Sequence, residues 1–297
     1  MVWNTVFIDR FSTNLAFLAV EHYPIDNCYM QFRIGTPHAP QTLFPTYLNH
    51  GAGKAIVALY LNLTTFAQMK GKQLLMFETN LASCGSFSGI SNSFGVALWG
   101  LDYGMQMANS NFSGALFHVG GQNVFYNVRL HFLTLYSFSQ TIHDSLSLIS
   151  NLLCLGHRKV HHSFVAPPTN QSTFYHWTIG PIYYSALIMA EALRPMNSSQ
   201  VLDLVANSNN MLTPAYAVYK NCNPIRVLLF NYISDPAGVN TITVNISIGG
   251  GQMGQANATP LQVQVKWVIY HLRPLQLFNS ADRYLLAPSV TSHGQAR

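Results

Sequence analysis

Leu74-Leu75-Met76-Phe77-Glu78-Thr79-Asn80 is the stretch on which the fold turns. An apolar run ends abruptly on a carboxylate, followed by two small polar residues. A turn rich in glycine and serine comes next (Cys84, Gly85, Ser86, Ser88, Gly89), and then a helical pattern. A buried strand that brings an acid to its C-terminal edge and passes into a βα loop is how a (β/α)8 barrel builds an active site. The chain has only three glutamates, Glu21, Glu78 and Glu191. One carboxylate of a possible catalytic pair is therefore plain, and the second is not.

Working outward, Leu15 to Glu21 forms a short apolar run that ends at Glu21-His22-Tyr23-Pro24. Residues 52–70 read as one helix leading into the Glu78 strand. Downstream, Ser91 and Ser93 are suited to cap a helix whose apolar face is Phe94, Leu98, Leu101, Met105 and Ala108. Gly114 to Val119 reads as a further strand, carrying His118 near its end. Pro181 suits the first turn of a helix through Tyr184, Leu187, Ile188 and Glu191 that stops before Pro195. Strand and helix alternate over residues 1–200, which predicts an α/β unit with parallel strands. After about residue 210 the period becomes two. Thr241–Ile248 and Leu261–Trp267 alternate strictly, and Ile225–Ile233 is a more apolar strand. Residues 205–297 are thus expected to form an antiparallel β-sandwich.

Only 8% of the 297 residues are charged and 49% are hydrophobic. No apolar stretch approaches the roughly 20 residues of a membrane helix. The net charge of +5 is scattered, with no basic stripe for a phosphate backbone, so neither a membrane nor a nucleic-acid partner is expected. Six N-x-S/T sequons, at Asn62, Asn111, Asn170, Asn197, Asn245 and Asn257, favour a secreted glycoprotein over chance in an Asn-rich chain. The start, Met1-Val2-Trp3-Asn4, has no signal-peptide pattern, so export by a standard route would need a different N-terminus. Cys28, Cys84, Cys154 and Cys222 show no metal-ligand spacing, and neither a metal nor a cofactor is expected.

Glu78-Thr79-Asn80, the Cys84-Gly85 turn, Ser91-Asn92-Ser93-Phe94, Leu98-Trp99-Gly100-Leu101-Asp102 and the run from Phe112 to Asn127 together resemble glycoside hydrolase family 79. That family includes β-glucuronidases and heparanase, and the wording here is similar to its fungal members. The resemblance implies strands six to eight of a (β/α)8 barrel, then a β-sandwich, and retaining cleavage of β-linked glucuronic acid in glycans. Glu78 stands at the nucleophile's position. His22 and Tyr23 fall at a strand end near it, where a hydroxyl could keep Glu78 ionised; a Tyr merely packed beside Pro24 is the alternative. Cys84, Gly85 and Tyr126 match positions that hold the uronate carboxylate, although the turn lacks the family's tyrosine. His118 could reach a sugar hydroxyl, or could be satisfied by its neighbours. The loops after strands six and seven are neighbours, so a Cys28–Cys84 disulfide is expected.

Two segments interrupt the match, Val128–Ser163 and Val268–Arg283. We read them as translated introns, with a lid or a surface loop as alternatives. The family's acid/base glutamate follows an Asn, and no Asn-Glu pair occurs here. The chain is expected to be inactive as written, with either a longer active product or a non-catalytic carbohydrate-binding relic behind it.

Overall fold

The structure, a computed structural model, describes residues 2–91, 93–119, 165–166, 178–179, 181–193 and 199–233. These lie in one compact unit, Met1–Ile233. The alternating runs Thr241–Ile248 and Leu261–Trp267, the segments Val128–Ser163 and Val268–Arg283, and Tyr126 fall outside the described residues.

The helix α1 (Val2–Phe11) precedes strand β1 (Phe17–His22). Helices α2 (Cys28–Phe32), α3 (Pro40–Tyr47), α4 (His50–Ala58) and α5 (Leu61–Met69) lead to β2 (Gln73–Thr79). Helix α6 (Phe94–Asn109) connects β2 to β3 (Gly114–Phe117). The three strands form a parallel sheet in the order β1-β2-β3. The helix expected over residues 52–70 is two helices. The break falls at Leu59-Tyr60, where the Tyr60 hydroxyl lies 3.0 Å from His22 Nδ1 and 3.4 Å from the Glu21 carbonyl. Nothing local in the sequence marks that break.

One face of the sheet is buried. Leu18, Leu74 and Met76 are inaccessible or nearly so, and Thr79 sets its hydroxyl 3.5 Å from that of Tyr103 on α6. The opposite face carries Phe17 and Phe77, 43% and 44% exposed and stacked on each other at 6.3 Å. Parallel sheets are ordinarily covered on both faces; among the described residues this one is covered on one.

Helix α6 differs from the one-sided helix its spacing predicts. Gly95–Ala97 and Trp99–Met107 are all buried, while Phe94, Leu98 and Ala108 on the expected face are only half-buried. A helix buried on every side must touch several partners. Trp99 and Tyr103 stack at 5.2 Å and meet Phe117 of β3 edge-on. On another side, α6 packs against α7 (Pro181–Leu193) through Gly100 and Gly104. Ser93 occupies the helix N-cap, but its hydroxyl donates to the Ile90 carbonyl, and the Ser91 hydroxyl accepts from Phe87 N–H, so neither side chain caps the helix as expected.

A Cβ on Gly100 would lie 2.5 Å from Ile182 Cδ1, and one on Gly104 would lie 2.3 Å from Met189 Sδ. Gly100→Val should therefore cost about 1–3 kcal/mol by overpacking. Denaturant unfolding at constant slope would read the loss, and an unchanged midpoint would mean that α7 moves aside freely.

Short strands β4 (Val165–Ala166) and β5 (Thr178–Ile179) pair antiparallel. Then β6 (Ser199–Asp203), β7 (Ala215–Lys220) and β8 (Asn223–Leu229) form an antiparallel sheet with β7 in the centre. The strand expected at Ile225–Ile233 starts earlier. Its pairing continues past β8, as Phe230 N–H donates to the Pro214 carbonyl and Tyr232 N–H to that of Leu212. Strands β6 and β7 were not expected. Ala215–Val218 is buried at every position, so no alternation betrays it. Tyr216, Val218, Phe230 and Tyr232 form a core with Leu101 and Met105 of α6. Helix α6 is thus the element against which both three-stranded sheets pack.

Candidate active site

The parity of β2 decides where Glu78 points. Met76 faces the helices, and strict alternation would send Glu78 to the same side. The β1–β2 register shifts at this point: Val20 pairs with Met76, but Glu21 pairs with Glu78, so Phe77 is bulged. A bulge moves every later side chain to the other face. Thr79 is turned into the helix layer, and Glu78 is left on the open side, its side chain 44% exposed.

Among the described residues, two side chains address the Glu78 carboxylate. The Tyr23 hydroxyl donates to Oε1 at 2.7 Å. His118 Nδ1 stands 3.7 Å from the same oxygen, an ion pair when the ring is protonated. His118 is held from both backbone groups. Its N–H donates to the Thr79 carbonyl at 2.9 Å, and its carbonyl accepts from Asn80 Nδ2 at 2.7 Å. Asn80, fully buried, also accepts the Leu81 N–H through Oδ1. Three strand ends thus converge: Tyr23 after β1, Glu78 on β2 and His118 after β3. Glu21, exposed on β1, is the Cα partner of Glu78 across the ladder.

His22 is turned elsewhere. Its ring meets Tyr60 edge-on at 5.8 Å with Nδ1 3.0 Å from the hydroxyl. Burial pulls its pKa below the usual 6.5, which favours the neutral ring beside that hydroxyl.

The loops after β1 and β2 are fastened together. Asp26 and Ser83 form a parallel bridge, Ser83 N–H donates to the Ile25 carbonyl, and Asn27 N–H donates to that of Ser83. Asn27 Nδ2 donates to the Ser86 carbonyl at 2.6 Å. Cys28 and Cys84 are joined in a disulfide, with Cα atoms 5.0 Å apart. Cys84, Gly85 and Ser86 have φ of 54°, 80° and 64°. Two residues other than glycine in the left-handed region mark a backbone held against its preference. Among the described residues, no carbonyl takes the N–H of Cys84 or of Gly85. Consecutive N–H groups in such a turn can form an anion-binding concavity.

Replacing both Cys28 and Cys84 by serine should lower stability by about 2–4 kcal/mol. The parent and the variant are compared by thermal melting without reductant. Equal melting temperatures would show that the hydrogen-bonded bridge alone fixes the loops.

A second cluster gathers at Asp102 and Gln106 of α6. His50 is 2% exposed. Its Nδ1 is 3.0 and 3.1 Å from Asp102 Oδ1 and Oδ2, and its Nε2 is 3.0 Å from Asp203 Oδ2. Lys54 Nζ and Gln106 Nε2 reach the same Asp203 oxygen at 2.9 and 2.8 Å. The hydroxyls of Tyr216 and Tyr232 donate to Asp102 Oδ1 and Oδ2. Burial alone would raise the Asp203 carboxyl, but the Val205 N–H, Lys54, Gln106 and His50 bring it down to about 2. This cluster spans α4, α6, β6 and β7, and sequence spacing gave no hint of it. Its one signal is Asp102, the sole acidic residue of α6.

Among the described residues no group of three His, Cys, Asp or Glu side chains could hold a metal, and no helix is long and apolar enough to cross a membrane. Asn62 on α5 and Asn111 after α6 are exposed; Asn170, Asn197, Asn245 and Asn257 lie outside the described residues.

No family model matches the chain, and no curated protein matches it. A solved structure that is similar is a 4-O-α-L-rhamnosyl-β-D-glucuronidase from Fusarium oxysporum 12S, in complex with Rha-GlcA. It has 21% identity and a TM-score of 0.49, over 77% of this chain and 36% of that one. The chain thus spans just over a third of the length of that enzyme.

Proposed function

We propose that the chain carries the nucleophile side of a retaining glycoside hydrolase acting on β-linked glucuronic acid in glycans, of the family 79 type. The observation that carries this reading is the 2.7 Å hydrogen bond from Tyr23 to Glu78 at the C-terminal edge of a parallel sheet. Glu78 would attack the anomeric carbon, Tyr23 would hold the attacking carboxylate in orientation, and His118 would meet a sugar hydroxyl. The Cys84 and Gly85 N–H groups, with Tyr126, would take the uronate carboxylate. His22 would brace the strand end through Tyr60. The neighbouring-strand order β1-β2-β3, with helices on one face and an open apolar face on the other, supports a segment of a (β/α)8 barrel over a doubly wound sheet. The antiparallel sheet β6-β7-β8 would open the β-sandwich, and the exposed sequons would carry glycans in a secreted product.

Retaining chemistry needs a second carboxyl about 5–5.5 Å from the nucleophile to protonate the leaving oxygen. The carboxylate that the register sets beside Glu78 is Glu21, on the adjacent strand, and it matches no acid/base position of the family. This favours a second reading, glycan binding without turnover by the chain on its own.

The test separates attack from acid assistance. A 2-deoxy-2-fluoro-glucuronosyl fluoride expels fluoride without a proton donor, so a competent nucleophile forms a stable ester. Peptide mass spectrometry should find the sugar on Glu78. Labelling elsewhere, or none while glucuronide binding persists, would favour the second reading.

A further inference from the structure

The cluster around His50 takes no part in the proposed chemistry, and its geometry favours one protonation state: two carboxylates face the ring nitrogens, against one amide donor, Gln106 Nε2, 3.2 Å from Nε2. A neutral imidazole has one N–H and one lone pair. Both ring nitrogens of His50 face carboxylate oxygens, Nδ1 toward Asp102 and Nε2 toward Asp203, each at 3.0 Å. A neutral ring would aim a lone pair at one carboxylate. The imidazolium donates to both. With His50 charged, His50 and Lys54 balance Asp102 and Asp203. Without that proton the buried group carries a net negative charge, and one of the two carboxylates faces a ring lone pair where an N–H had been.

The elements joined are distinct. His50 opens α4, beside Lys54 on the same helix. Asp102 and Gln106 belong to α6, Asp203 ends β6, Tyr216 sits on β7, and Tyr232 follows β8. Tyr216 also meets the His50 ring edge-on at 5.8 Å, and the His50 backbone N–H donates to the Met211 carbonyl.

We propose that His50 is a pH-sensing latch that ties α4 and α6 to the antiparallel sheet while its ring is charged and releases the sheet as the medium turns alkaline.

Burial by itself would depress the imidazolium, but Asp102 and Asp203 outweigh it and raise the pKa above 6.5. A raised folded-state value gives stability that is fully present below 6.5 and is lost as pH climbs through the folded value. Asp203 limits the acid side. Its carboxyl, at about 2 against 3.8, supplies stability present above 3.8 and lost as pH falls through about 2. The latch is therefore fully engaged from mildly acidic pH to about 6.5.

The full chain is followed by ring NMR of His50, by amide exchange at Tyr216–Val218 and by melting temperature between pH 5 and 9. The His50 midpoint should lie above 6.5. Exchange protection of Tyr216–Val218, corrected for intrinsic base catalysis, should fall about tenfold per pH unit between the unfolded and folded midpoints. Asp203→Asn should bring the midpoint down toward 6.5. A folded His50→Gln should show a flatter melting temperature over pH 6–9. If that variant does not fold, the parent titration and Asp203→Asn decide. A parent midpoint at or below 6.5, a midpoint unmoved by Asp203→Asn, or the same alkaline loss in folded His50→Gln would overturn the latch.

Discussion

An Asp102→Ala variant is expected to lose about 3–5 kcal/mol of folding stability, the usual cost of removing one member of a buried ion pair. Three donors converge on that carboxylate: His50 Nδ1, the Tyr216 hydroxyl and the Tyr232 hydroxyl. Alanine removes the acceptor for all of them and leaves a charged ring in a buried site. Both tyrosines belong to the core that α6 shares with the antiparallel sheet, so the loss falls on the contact between them. Asp102→Asn should cost less, because the amide oxygen still accepts. Urea unfolding of parent, Asp102→Ala and Asp102→Asn ranks the three. A loss under 1 kcal/mol for alanine would show that the cluster is paired but contributes little.

Glu78 and Asp102 differ in how far the sequence alone discloses them. The run Leu74–Asn80 reveals a strand bearing a carboxylate at its edge, because an apolar stretch that stops on an acid marks where a buried strand reaches the surface. The bulge at Phe77 is invisible there, since it depends on how β1 lies against β2, and it is the bulge that turns Glu78 to the open face. Tyr23 and His118 could be suspected as strand-end residues, but their meeting at Glu78 joins positions 55 and 40 residues away. His50, Asp102 and Asp203 are farther apart still, with 153 residues between first and last. No local pattern encodes such a pairing. Strand β7 escaped for a physical reason as well. As the central strand of its sheet it has no wet face along Ala215–Val218, so the period-two signal vanishes.

The second large effect concerns Glu78 itself. With the fluoro-glucuronosyl fluoride as reagent, Glu78→Gln should abolish covalent labelling, because an amide oxygen cannot form the ester. Tyr23→Phe should leave the attacking group in place and slow labelling about 10- to 100-fold, the worth of a hydrogen bond to a charged group of about 1.5–3 kcal/mol. The two variants therefore separate the attacking atom from the group that aims it. Alkyl glucuronides, whose leaving oxygen needs a proton, should not be turned over by the chain alone, as general acid assistance contributes about 10²–10⁴-fold. Labelling that persists in Glu78→Gln would move the nucleophile elsewhere, and an unchanged rate in Tyr23→Phe would reduce Tyr23 to packing.

The disulfide between Cys28 and Cys84 closes a covalent ring that contains the largely exposed segment from Arg33 to Ala39. Exposed loops of this kind are where proteases cut. A trypsin nick after Arg33 would break the peptide chain without parting its pieces, since the residues on either side stay linked through the two sulfurs. Such a molecule would run as one band on a gel without reductant and as two with it. The strand that leads to Tyr23 and the strand bearing Glu78 would then belong to different polypeptides that still share one edge of the sheet.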